Sequence, residues 1–201
     1  MTDEEREQIA TEIIEKLDRT LKEYIDGIGS DKITPSQFSA ALIYTGKKVF
    51  NKDYKFILRD TDRQKVYDNY PYNYKLIKYI ADYYIYITKT YSNVVSINGL
   101  SYLLNIDYQI IQMWADRTSE EASPEASAIL QKIRNEQEQT LQEAGLYSGK
   151  NPVGYIAALN HFFRWNDAPG ASAPQNDAKS IENLPDFSQF RQIVQSENGN
   201  N

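Results

Sequence analysis

Tyr108, Gln109 and Gln112 are the side chains of this sequence best suited to reading a nucleic acid. A glutamine amide matches the paired acceptor and donor on the major-groove edge of adenine, and a tyrosine bonds a phosphate or stacks on a base. Lys47 and Lys48 open the most basic stretch, residues 47–65 with net charge +4, and would supply cations to a phosphate backbone. Other chemistries lack their residues. There is no cysteine and a single histidine, His161, so disulfides, thiolate metal sites and cysteine nucleophiles are excluded and no zinc set stands out. The glycines of GKNPVG at 149–154 fit neither a P-loop nor a dinucleotide fingerprint. No paired-carboxylate or nucleophile–base spacing stands out. The residues point to binding and assembly rather than catalysis, with no cofactor and no metal.

The elements that would position these side chains are written in SINGLSYLLNIDYQIIQMW, residues 96–114. In a helix-turn-helix the first helix needs a small residue where the two helices cross, and Ser101 stands there. The turn needs a residue that tolerates the left-handed conformation four positions later, and Asn105 is second only to glycine for this. Leu100, Leu104, Ile106, Ile111 and Trp114 are apolar where packing requires it. Asp107 caps the second helix, which would lie in the major groove and present Tyr108, Gln109, Gln112 and Met113 outward.

Around this unit the chain reads as helices. In residues 3–26, Ile9, Ile13, Leu17, Leu21 and Ile25 recur every four positions, behind a Thr2 cap and acids at Asp3, Glu4 and Glu5. Thr34-Pro35-Ser36-Gln37 is a capping box whose helix buries Phe38, Ala41 and Leu42 and should stop at Gly46. Residues 47–65 fit strand or irregular structure as well as helix. Asn73 caps a helix over 74–91 that is apolar around most of its circumference and therefore central. Pro124 starts another to about Ala144, with Ala126, Ile129, Ile133 and Leu141 on one stripe. In the turn that follows, Gly149 closes one helical region, Asn151 caps the next, Pro152 takes its first position, and Gly154 permits close packing. Val153 to Phe163 is a short apolar helix; Trp165 should pack it onto the domain, and His161 reads as a packed or surface residue. The stripes on 3–26 and 125–144 exceed what a chain of this size covers alone, which favours an assembly larger than a dimer.

The expected fold is all-α: a helix-turn-helix DNA-binding domain, helical oligomerisation elements and a flexible C-terminal tail. Four parts follow: residues 1–70, helical and unassigned; 71–117, the helix-turn-helix domain; 118–167, a helical hairpin for oligomerisation; and 168–201, the tail. Residues 168–180, rich in Ala, Pro, Ser, Gly and Asn, cannot bury a core. Beyond them Leu184, Phe187, Phe190 and Ile193, with Val194, recur every three or four positions, as in a helix laid into a partner's groove. The net charge of −6 on 201 residues counts against indiscriminate coating of DNA. No apolar run approaches the roughly 20 residues of a membrane helix, and the acidic start MTDEEREQ lacks the basic and apolar parts of a secretory signal, so an intracellular protein without membrane contact is expected.

The order of these pieces resembles the small terminase subunits of tailed phages and prophages. The likeness is carried by the helix-turn-helix from Ser96 to Trp114, the charged helix Glu125 to Ala144, the turn Ser148-Gly149-Lys150-Asn151-Pro152-Val153-Gly154, and LNHFFRWN at 159–166. It spans residues 73–167 and leaves the N-terminal 70 aside; the GKNPVG-to-RWN segment is its more specific part. The resemblance implies a protein of the bacterial host cytoplasm that recognises viral double-stranded DNA. It also implies assembly into a homo-oligomeric ring, and regulation of a large terminase subunit that carries the ATPase and nuclease. The tail segment would then dock on that large subunit. The competing reading is a transcriptional regulator with the same helix-turn-helix, usually a dimer; mass in solution separates the two.

Overall fold

The computed structural model describes residues 2–30, 32–51, 55–59, 72–114, 123–147 and 152–165. The chain divides after Arg164 into two units. Every described helix lies in the first, and Trp165 alone is described in the second. The first unit is mostly helical, with no strand among the described residues. No described helix is long and apolar enough to cross a membrane.

The helix starts follow their capping chemistry. Helix α1, Asp3–Ile28, opens on a reciprocal box: Thr2 Oγ1 accepts from the Glu5 amide at 3.1 Å, and Glu5 Oε2 accepts from the Thr2 amide at 2.8 Å. Gly29, in the left-handed conformation at φ 65°, closes it. Helix α2, Pro35–Val49, uses Thr34 and Gln37 in the same way. Its end corrects the sequence reading, because the helix runs through Gly46 for three more residues. Gly46 is no terminator there; it is the point where α2 crosses α4, and a Cβ would sit 2.1 Å from the Tyr102 carbonyl oxygen. A 3₁₀ turn over Lys55–Leu58 follows, and Arg59 bridges to Tyr72. Helix α3, Tyr74–Thr90, starts at Asn73, whose side chain accepts from the Leu76 amide at 3.2 Å.

The remaining helices are α4, Ile97–Leu104; α5, Tyr108–Met113; α6, Pro124–Tyr147; and α7, Val153–Phe163. Central α3 packs against α1, α4 and α6, as its nearly all-round apolar surface implies. Residues 1–70, unassigned from sequence, supply α1 and α2, whose Leu17, Leu21, Ala41 and Leu42 join the same core. Tyr83 donates to Asp18 of α1 at 3.3 Å. Tyr84 is clamped to Ser96, donating to its carbonyl and accepting from its amide, both at 3.0 Å, which ties the body of α3 to the start of α4.

Two further expectations need correction. Ile13, Leu17 and Leu21 of α1, and Ala126, Ile129 and Ile133 of α6, are buried within the chain itself. Helices α2 and α3 cover most of the α1 stripe, leaving Ile9 and Ile25 half-buried, and α3, α4 and α7 pack on α6, so the stripes by themselves are no argument for a second copy. Helix α6 also continues through Gly145 to Tyr147. Gly145, not Gly154, makes the close approach: a Cβ there would lie 3.2 Å from Tyr155 of α7, whereas one on Gly154 meets nothing within 4 Å. Pro152 precedes the first helical residue, with its carbonyl accepting from the Ile156 amide at 3.0 Å. Trp165 is half exposed, and His161 is on the surface.

Candidate nucleic-acid interface

Helices α4 and α5 form a tight two-helix unit. Asn105 adopts φ 50° and ψ 39°, the left-handed turn that the sequence assigns to it. Ser101 is buried at the crossing, where its hydroxyl donates to the Ile106 carbonyl at 2.8 Å across the turn. A larger side chain there would part the helices, and one without a hydroxyl would leave that carbonyl short of a donor. The amide of Ile106 in turn bonds the Ser101 carbonyl at 3.2 Å. Asn105 adds a tie that sequence could not reveal: its side-chain amide donates to the Phe50 carbonyl at the end of α2, at 3.0 Å.

Leu100, Leu104, Ile106, Ile111 and Trp114 are all buried, as their apolar character demanded. Trp114 sits edge-on to the rings of Tyr72 and Tyr74, with centroids 6.0 and 5.4 Å away. This packing fixes the direction of the six-residue α5. Asp107 caps it by accepting from the Gln109 amide at 2.7 Å. Tyr108, Gln109 and Met113 are then exposed and Gln112 is half-buried. Gln112 donates to the Tyr108 hydroxyl at 2.5 Å, so the two act as one pair on the surface.

The cations are less free than the sequence suggests. Lys48 pairs with Glu23 of α1 at 3.0 Å and lies over the Tyr44 ring. Its hydrogen bond to Glu23 raises its pKa above the ordinary lysine value. Lys75 faces Asp3 at 3.5 Å and Lys89 faces Glu136 at 2.5 Å. Lys47 and Lys78 are exposed and make no ion pair among the described residues. The basic stretch is described only in part, since 52–54 and 60–71 lie outside the described residues, as does the tail with Leu184, Phe187, Phe190 and Ile193. No group of His, Asp and Glu side chains that could hold a metal occurs among the described residues.

Tyr108 and Gln112 also line a groove of about 460 Å³. Its far wall is α6, through Gln131, Arg134, Asn135 and Glu138, and its end is α7, through Phe162 and Phe163. Helix α7 folds back along α6 to reach it. Comparison with family models, curated proteins and solved structures returned no match. The α6 and α7 residues of the groove escaped the sequence reading because each belongs to a helix far from α5 along the chain. Their only early sign was a polar α6 face opposite the Ile129–Ile133 stripe.

Proposed function

We propose that this chain is a small terminase subunit of a tailed phage or prophage, recognising viral duplex DNA for packaging and acting on a separate large subunit. The observation that carries the DNA reading is the α4–α5 unit, with a left-handed Asn105, a hydroxyl-bridged crossing at Ser101, and Tyr108, Gln109 and Gln112 on the outer side of α5. The packaging context rests on the resemblance over residues 73–167. Assembly into a ring draws on a surface other than the buried stripes. Leu146 near the end of α6 is 76% exposed, and Val153 and Ile156 in the first turns of α7 are more than half or half exposed. A second copy of the chain is the occupant we assign to these residues. The large subunit would be engaged by Leu184, Phe187, Phe190 and Ile193.

The test begins with selection from random duplexes. Replacing Gln109 and Gln112 by Ala should then lower the preference for the selected site by about 1–3 kcal/mol per lost base contact. Equal loss on selected and random duplex would remove both residues from base reading. Light scattering should give a mass above a dimer that falls on Ile156→Glu; a dimer would favour the transcriptional regulator, and a monomer would end the ring proposal.

A further inference from the structure

We propose that the groove between α5, α6 and α7 holds one unpaired nucleotide unit of a nucleic-acid strand. The inference rests on the nucleic-acid reading above but names a second form of substrate, single-stranded, and adds residues of α6 and α7 to Tyr108 and Gln112.

The lining decides the chemistry. Arg134 and Glu138 are the only charged side chains among the lining residues, so the site as a whole is neutral. That disfavours a nucleoside triphosphate, whose charges are concentrated at one end, and suits a phosphodiester, which carries a single negative charge per unit. Arg134 is half-buried, makes no ion pair among the described residues, and is the cation available to that charge. Amides dominate the rest: Asn98, Gln112, Gln131 and Asn135 offer the donor and acceptor pairs that match the edge of a base. Phe162 forms the end wall with 59% of its surface exposed and its ring in edge contact with His161 and Phe163, so a flat partner can still cover it. A base face is such a partner, and stacking on aromatic rings is the common device of proteins that bind single strands.

Size and shape agree. About 460 Å³ falls in the range of sites for nucleotide-sized ligands. The groove is open, so a strand can enter and leave along it. A base paired inside a duplex presents its edge but not its face, so Phe162 has no role toward duplex DNA. Gln109, by contrast, is exposed on α5 and does not line the groove. Tyr108 and Gln112 belong to both sets, so Gln109 on one side and Phe162 and Arg134 on the other are the residues that separate the two forms of nucleic acid.

The test is fluorescence anisotropy on the full chain at low salt. The probes are a labelled mixed-sequence single strand of about ten nucleotides, within the usual site size of such proteins, and the duplex of the same sequence. Phe162→Ala should weaken single-strand binding about 5- to 150-fold, the range that loss of one base stack gives, and leave duplex binding unchanged. Arg134→Gln should weaken the single strand as well. Phe162→Leu keeps an apolar side chain but no flat ring, and it should bind as poorly as the Ala variant. Duplex binding without single-strand binding overturns this inference and spares the DNA reading. Single-strand binding that depends on Phe162, without duplex binding, upholds the inference and removes duplex recognition. A Phe162→Leu variant that binds the single strand like the wild type overturns the stacking role, and binding of neither probe overturns both proposals.

Discussion

Replacing Gly46 by Ala should destabilise the protein although alanine is the better helix former. The added Cβ would lie 2.1 Å from the Tyr102 carbonyl oxygen and 2.7 Å from that of Leu103. Both are backbone atoms near the end of α4 and cannot swing aside as a side chain would, so α2 and α4 must separate by about 1 Å to restore an ordinary contact. Overpacking costs about 1–3 kcal/mol, and a backbone clash this short belongs at the upper end, about 3 kcal/mol. The gain in helix propensity and the reduced freedom of the unfolded chain return about 1 kcal/mol. The net loss is about 2 kcal/mol. At about 2–4 °C per kcal/mol for a chain of this size, the melting temperature should fall by about 4–8 °C. Gly27→Ala is the control, because a Cβ there meets nothing within 4 Å; it should gain up to about 1 kcal/mol. Thermal melts followed by circular dichroism read both. If Gly46→Ala melts at or above the wild-type temperature, the α2–α4 crossing has room for a Cβ and Gly46 is not a close-contact point. The same displacement moves the carbonyls that lead into the Asn105 turn, so duplex binding should weaken along with stability.

Two further outcomes follow from the same joints. Asn105→Ala loses both the residue's tolerance of the left-handed conformation and its bond to Phe50, and should cost about 1–3 kcal/mol in denaturant melts; Asn105→Gly relieves the backbone and loses only the bond, so it should stay within about 1 kcal/mol of wild type, and a Gly variant as damaged as the Ala one would place the cost elsewhere. Burial raises the Tyr84 hydroxyl above the ordinary tyrosine value of 10.0. The folded state then holds a proton that the unfolded chain releases, so this stabilisation is complete below pH 10 and is lost as pH climbs through the raised value. Melting temperature should fall above pH 10, and Tyr84→Phe should make that fall shallower; an unchanged alkaline slope in the variant would exonerate Tyr84.

Most of the helices and their caps were legible because the signals are local. Thr2 with Glu5, Thr34 with Gln37, and Asn73 each declare a helix start within four residues of chain. Ser101, Asn105 and the five apolar positions likewise encode the α4–α5 geometry within one short stretch. Gly46 shows where local reading ends. A glycine in a helical run reads as a stop, and only the presence of α4 across it reveals a contact point. The stripes on α1 and α6 failed in the same manner: periodicity shows that a face must be covered, but not whether the cover is α2 and α3 or another copy. Glu23 beside Lys48 and Glu136 beside Lys89 were likewise unforeseeable, since their partners come from other helices.

Those ion pairs bear directly on how an acidic chain would hold DNA. The salt-dependent part of affinity grows with the number of phosphates neutralised, and Lys48, Lys75, Lys89 and Lys132 already face carboxylates. Those four lysines are therefore less available to a duplex, and α5 itself carries no cation. Under the proposed function, repetition supplies strength: weak contacts presented several times over by an assembly gain by effective concentration what each lacks alone. That is the arrangement in which exposed Leu146, Val153 and Ile156 have a purpose. It is also the one in which an uncharged reading face is an advantage, because a subunit with strong phosphate binding of its own would hold any DNA regardless of sequence.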